Sequence, residues 1–145
     1  DLQKDPQNLI PALIMSHLGM KPFALKVFGT DYPTRDGTGV RDYIHVLDLV
    51  NAHLKALSFL ESNLGTHIFN LGTGTGTTVL EIIQAFEKIT GEKLSYEKAP
   101  RRIGDVVFST CDSTKARDLL KWEPKQSLHQ MIESQWIWYK SHLSK

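Results

Sequence analysis

Val27-Phe28-Gly29-Thr30-Asp31-Tyr32-Pro33-Thr34-Arg35-Asp36-Gly37-Thr38-Gly39-Val40-Arg41-Asp42-Tyr43-Ile44-His45-Val46 is the stretch that decides how the chain folds. Its two ends carry branched and aromatic residues and read as strands, Ala24 to Phe28 and Val40 to Val46. Between them Gly29, Pro33, Asp36, Gly37 and Gly39 punctuate a loop. The loop delivers Arg41 and Tyr43 onto the second strand.

Upstream, Leu9, Leu13, Ile14 and Leu18 recur at helical spacing, and Gly19 ends that helix. Pro11 falls in its first turn, where a missing N–H costs little. Downstream, Asp48 reads as the N-cap of a helix with Leu49, Ala52, His53, Ala56 and Leu60 on one face. His67 to Leu71 reads as a short buried strand, and Leu94 to Glu97 as another. Thr78 caps a helix through Ile82, Ile83 and Phe86 that stops at Gly91. Two helices close the chain, one around Ala116 to Leu120 and one from Leu128 to Leu143 with Ser127 as N-cap. Strands that alternate with helices predict an α/β domain of the α+β type, a small mixed sheet flanked by helices, over residues 1–145. The strands are too few for a full doubly wound sheet.

Bulk properties narrow the function classes. A hydrophobic share of 41% and a charged share of 23% suit a soluble globular domain. The net charge of +1 gives no electrostatic footprint for nucleic acid or an anionic membrane. Lys98, Arg101 and Arg102 form the densest basic cluster, enough for a local anion site. No apolar run is long enough to span a bilayer. The first residues, Asp1-Leu2-Gln3-Lys4-Asp5, show neither the basic start nor the apolar core of a signal peptide, and they lack an initiator methionine, as in an excised or processed chain. The single cysteine, Cys111, excludes an internal disulfide, so a cytoplasmic setting is expected. The six histidines show no metal-ligand spacing.

Asn70-Leu71-Gly72-Thr73-Gly74-Thr75-Gly76-Thr77-Thr78 sits where a dinucleotide fingerprint would, between a strand and a helix. Gly72 and Gly74 match its first two glycines, and Glu97 lies near the place of a ribose-binding acid. Thr77 takes the third place, and its branched Cβ would hold helix and strand apart. A structural turn is the better reading.

Along most of its length the chain resembles the substrate-binding half of the UDP-glucose 4-epimerases, within the extended short-chain dehydrogenases. The resemblance runs through Asn8-Leu9-Ile10-Pro11, the opening stretch from Phe28 to His45, Asn70-Leu71-Gly72, and Ala99-Pro100-Arg101-Arg102-Ile103-Gly104-Asp105. Related dehydratases and decarboxylases share the ending Arg41-Asp42 to Val46 and Asp48, but generally lack the Asp-Tyr-Pro-Thr-x-Asp-Gly-Thr-Gly approach. The resemblance implies UDP-glucose and UDP-galactose as substrates. It also implies an NAD-binding N-terminal half preceding this one, with NAD held there, and a homodimer of the full enzyme. A base would remove the 4-hydroxyl proton as hydride passes to NAD, and the 4-keto sugar would turn over before hydride returns. Such an enzyme must grip UDP and leave the hexose free to rotate.

Holding UDP requires guanidinium for the diphosphate, a carboxylate for the ribose and an aromatic face for the base. Arg41 with Tyr43, Arg102 with Asp105, and Phe28 are the candidates. Taken singly each also has an ordinary reading: Arg41 paired with Asp42, Arg102 solvated, Phe28 in the core. The resemblance implies that Asn8 and the Leu9 backbone reach sugar and phosphates. By the same token Leu25, Lys26 and Phe28 line the uracil, Arg41 and Arg102 grip phosphate, Asp105 takes the ribose and Tyr43 walls the pocket. Ser109, small where a bulky tyrosine is found in enzymes restricted to plain hexoses, implies room for N-acetylhexosamines; the alternative is an ordinary loop serine. Lys26 and Arg35 also depart from the family pattern.

The family's Tyr-x-x-x-Lys pair is missing: Tyr32, Tyr43, Tyr96 and Tyr139 are followed four residues on by Asp36, Leu47, Pro100 and Leu143. No catalytic, cofactor-binding or metal residue is therefore expected on this chain, and alone it is expected to be inactive. A non-catalytic UDP-sugar-binding module is the alternative. Trp122, Trp136 and Trp138 are expected to pack the tail helices or an interface, and Cys111 beside Asp112 is expected to be inert.

Overall fold

The computed structural model describes Pro6, residues 8–20 and residues 24–143. Among these residues five helices and five short strands follow one another as α1 (Leu9–His17), β1 (Leu25–Phe28), β2 (Val40–Arg41), α2 (Val46–Leu60), β3 (Thr77–Thr78), α3 (Val79–Thr90), β4 (Tyr96–Ala99), β5 (Phe108–Ser109), α4 (Thr114–Leu120) and α5 (Leu128–Leu143). The strands form two small sheets where one was expected. β1 pairs parallel with β4, and β2 lies between β3, antiparallel to it, and β5, parallel to it.

Two apolar clusters hold these elements. The larger joins one face of α1 (Leu13, Ile14) to Val27 of β1, to Ile82, Ile83 and Phe86 of α3, and to Ile132 and Tyr139 of α5. The smaller is built between α2 and α4 from Ala52, Ala116, Leu120 and Trp122, with Phe59, Phe69 and Leu71 against it.

Helix α3 shows how local chemistry sets an element. The Thr78 hydroxyl accepts from the Glu81 amide at 3.1 Å while Glu81 accepts from the Thr78 amide at 2.9 Å, a complete capping box. Gly91 ends the helix at φ 76°, a left-handed conformation that a side chain would strain. The loop of residues 30–39 is anchored to the same helix start. Thr38 Oγ1 accepts from the Val79 amide at 3.1 Å, and Asp36 takes the Thr38 amide at 2.8 Å and the Thr78 hydroxyl. Arg35 pairs with Glu81 and donates to the Gly76 carbonyl at 2.8 Å, so it fastens the loop to α3.

Five expectations are corrected. The strand expected over Val40 to Val46 is only Val40–Arg41, because β3 and β5 each offer two residues to pair with. His45, not Asp48, caps α2: its Nδ1 accepts from the Leu47 amide at 3.0 Å. Asp48 is buried in the first turn, and its carboxylate accepts from the Gln126 amide at 2.9 Å. Of the face assigned to α2, Ala52 and Ala56 turn inward and Leu49 is half-buried, whereas His53 and Leu60 are exposed. His67 to Leu71 has no ladder partner among the described residues; it keeps a strand's alternation, with Phe69 and Leu71 inward and Ile68 75% exposed. The strand placed at Leu94 to Glu97 runs instead from Tyr96 to Ala99, since Leu94 turns into the core.

Candidate functional site

An open cleft of about 1480 Å³ lies between β1, the start of α1, the segment after β2, and α5. A closed small-molecule pocket needs about 300–1,000 Å³. The cleft is therefore a broad trough with one side open.

Its floor is the edge of β1 that has no ladder partner among the described residues. In a parallel pair, alternate residues turn both backbone groups to the same neighbour. The Gly29 amide donates to the Ala99 carbonyl at 2.9 Å, so Val27 and Leu25 face β4 in the same way. Lys26 and Phe28 are left with their backbone groups on the open edge, and both line the cleft. At one end α1 begins with Asn8, extended at φ −83° and ψ 144° and making no side-chain cap bond. Pro11 has no N–H and the Ala12 amide is taken by the Asn8 carbonyl at 3.1 Å. The amides of Leu9 and Ile10 thus open the helix toward the cleft, where an anion is favoured.

The charged rim gathers on Asp105. One of its oxygens lies 3.5 Å from Arg41 and the other accepts from Arg102 Nε at 3.0 Å. Arg102 also lies over the Phe28 ring, 4.8 Å from its centroid. Burial pushes the Tyr43 phenol up, only partly offset by the Arg41 charge, so this tyrosine stays protonated at neutral pH.

Of the ten residues expected in the site, Asn8, Leu9, Leu25, Lys26, Phe28, Arg41, Tyr43 and Arg102 line the cleft, and Asp105 bridges its two arginines. Ser109 is not among the lining residues; it is exposed on β5 as the register partner of Arg41. The structure adds His45 and, from α5, Met131, Ser134, Gln135 and Trp138. His45 Nδ1 accepts, so its proton sits on Nε2, which faces Ser134 Oγ at 3.2 Å. The opening stretch contains His45, but no local pattern points from it to α5.

Arg41 does not pair with its neighbour Asp42, because Asp42 is committed to the Gly/Thr loop. Its carboxylate accepts from the Thr73 hydroxyl at 2.6 Å and the amides of Thr73, Gly74 and Cys111 at 2.9, 3.0 and 3.3 Å. Those are amides a pyrophosphate would need. A Cβ on Gly72 would come within 2.5 Å of both Asp42 Oδ2 and Cys111 Sγ, so the glycine is set by packing. The described residues therefore do not fit a dinucleotide at this loop, and no chemistry is routed through one here. Burial, followed by the Asp42 charge and hydrogen bond and then Asp112, pushes the Cys111 thiol up, away from a nucleophile's range. Among the described residues no His, Cys, Asp and Glu groups converge as a metal site, and no helix is long and apolar enough to cross a membrane.

Burial works to raise the Asp42 carboxyl, but the Thr73 hydroxyl and the three amides outweigh it and hold it below 3.8. A depressed carboxyl stabilises the fold above its unfolded value, and that stabilisation is lost as pH falls through the lowered folded value. Asp42→Asn is expected to cost about 1–2 kcal/mol at pH 7. Thermal melting should find the gap from wild type narrowing below about pH 4, where the unfolded-state carboxyl begins to take up a proton, and closing as pH falls through the lowered native value. An equal gap at pH 7 and pH 3 would refute a charge-based anchor.

A mixed α/β chain with a strand-edge floor, a helix N-terminus and paired arginines has the features of a binding domain for a phosphorylated ligand. Comparison with known proteins gives the family: the model described as GDP-mannose 4,6 dehydratase matches residues 3–135, and the chain belongs to that family. Within it, the chain is 47% identical over 139 residues to the UDP-glucose 4-epimerase of Bacillus subtilis, covering 96% of this chain and 41% of that one. The solved UDP-glucose 4-epimerase of Stenotrophomonas maltophila, with bound NAD and formylated UDP-arabinopyranose, superposes with a TM-score of 0.91 at 44% identity, over 96% of this chain and 41% of that one. The UDP-Glc/GlcNAc 4-epimerase of Campylobacter jejuni gives 0.84 at 38%, over 97% and 43%. The resemblance seen in the sequence is thereby borne out, and the chain spans about two-fifths of the length of these relatives.

Proposed function

We propose that this chain is the substrate-binding portion of a UDP-hexose 4-epimerase, which interconverts UDP-glucose and UDP-galactose through a 4-keto intermediate on NAD. The observation that carries the reading is the convergence of Arg41 and Arg102 on Asp105, beside the Phe28 ring and the free edge of β1. The two guanidiniums take the diphosphate, with the opening amides of α1 and Asn8 beside them. Phe28 stacks the base, the backbone groups of Lys26 and Phe28 read its edge, and Asp105 accepts from the ribose. Tyr43 walls the site. The chain supplies a tight hold on UDP and no proton-transfer group, so alone it is inactive.

NAD and the reacting groups belong, on this reading, to an N-terminal portion in the same cytoplasmic enzyme, itself a homodimer. The exposed stripe Val46, Leu47, Val50, Leu54 and Leu57 of α2 and the unpaired segment 67–71 receive that portion. Ser109 lies outside the cleft lining of this chain, and the likeness to the UDP-Glc/GlcNAc enzyme is what supports admission of N-acetylhexosamines as well.

Calorimetric titration of the chain tests the reading. UDP, UDP-glucose and UDP-N-acetylglucosamine are expected to bind and NAD is not. Binding of NAD without UDP would overturn it. Tighter binding of UDP-glucose alone would remove the N-acetyl extension, and UDP binding without epimerase activity after adding the N-terminal portion would favour a non-catalytic module.

A further inference from the structure

We propose that Arg102 makes recognition of the base conditional on recognition of the diphosphate, so that the cleft selects nucleoside diphosphates over either part alone. The inference rests on the nucleotide-sugar reading of the cleft. Arg102 occupies two of the three surfaces that reading assigns to ligand: its guanidinium lies across the Phe28 ring, 4.8 Å from the centroid, and its Nε donates to Asp105 at 3.0 Å. A base that stacks on this face of Phe28 must displace a cation from it. A ribose that binds Asp105 must compete with two arginines.

A nucleoside offers nothing to the displaced guanidinium, and what it gains by stacking is offset by the cation–π contact and ion pair it breaks. A diphosphate offers charge-assisted partners to both arginines and draws Arg102 off the ring. Phe28 and Asp105 are then uncovered by one movement. Arg102 is free to make it, because its side chain is 59% exposed, whereas Arg41 is held at 31% and also donates to the Val40 carbonyl at 2.8 Å. Arg101 cannot substitute, since it is stacked on Tyr32 at 4.2 Å and paired with Asp31 at 2.9 Å.

The distinguishing experiment is titration of the wild-type chain and of Arg102→Ala with uridine, UDP and inorganic pyrophosphate. Losing a phosphate ligand should weaken UDP by about ten- to a hundredfold. Uncovering Phe28 and Asp105 should tighten uridine by about three- to tenfold. Pyrophosphate should raise uridine affinity in wild type and have no such effect in the variant. Arg102→Gln, which removes the charge but keeps a long polar side chain, should behave like the alanine. Weaker UDP with unchanged or weaker uridine would overturn the coupling and leave the nucleotide reading standing. UDP that fails to bind wild type, or binds both proteins equally, would overturn the coupling together with that reading.

Discussion

Trp122→Ala will lower the stability of the chain by about 3–5 kcal/mol, the usual range for truncating a buried tryptophan. The indole is 1% exposed, and its Nε1 donates to the Asp48 carbonyl at 2.9 Å. It fills the joint between α2 and α4, in a cluster with Ala52, Ala116 and Leu120 and with Phe59, Phe69 and Leu71 half-buried against it. Ala52 and Ala116 present short side chains on the rigid backbones of α2 and α4 and cannot reach into the space the ring leaves, which favours a large cavity cost. The Asp48 carboxylate takes the Gln126 amide at 2.9 Å, so the joint also fixes the approach to α5. Melting should fall by roughly 10 °C in a domain of this size. Trp122→Phe, which keeps most of the volume and loses the N–H, should cost less than half as much. A loss below about 1 kcal/mol on truncation to alanine would mean that the second cluster contributes little and that α2 is held by other contacts.

What the sequence made legible follows the range of the interactions involved. The start and end of α3 depend on Thr78, Glu81 and Gly91, neighbours that carry their own geometry, and they fell where the residues placed them. Ser127 before α5 is of the same kind, its hydroxyl accepting from the Gln130 amide at 3.2 Å. The length of β2 was not legible, because a strand extends only as far as its partners, and these come from residues 77–78 and 108–109. The cap of α2 misled for a chemical reason. Aspartate is a favoured cap and histidine is not, yet Asp48 is drawn away by Gln126 while His45 is held by Ser134, 89 positions on. In the site, Arg102 and Asp105 are three apart and could be paired by eye. Arg41 joins them across 64 residues; the family resemblance put all three in one site, but the contact itself was not legible. The two surfaces occupied by Arg102 were outside any sequence rule, since they depend on where β1 places the Phe28 ring.

Val50→Asp combined with Leu54→Asp will leave the chain folded and, on the proposed arrangement, abolish its association with an NAD-binding N-terminal portion. Helix α2 is apolar on two sides. Ala52, Ala56 and Phe59 face the α4 cluster, while Val46, Val50, Leu54 and Leu57 recur three or four residues apart on another face and are 64%, 50%, 58% and 63% exposed. A helix apolar on both sides is at home between two layers, and only one layer is among the described residues. The segment 67–71 alternates as a strand does, with Ile68 outward and no ladder partner among the described residues, so its unpaired backbone and the α2 stripe suit the edge of a further α/β sheet. On the proposed arrangement the occupant is the portion that accounts for the remaining length of relatives such as the Bacillus subtilis enzyme, of which this chain covers 41%. Carboxylates at positions 50 and 54 stand in water in the isolated chain and should change its melting little. Buried against an apolar sheet edge without partners they should weaken docking by at least about a hundredfold. Mixing the chain with the N-terminal portion of the Bacillus subtilis relative, followed by sedimentation and an epimerase assay, measures both. Complex formation and activity with wild type, and neither with the folded double variant, is the expected result. Undiminished association of the double variant would place the partner elsewhere and leave the α2 stripe without an occupant.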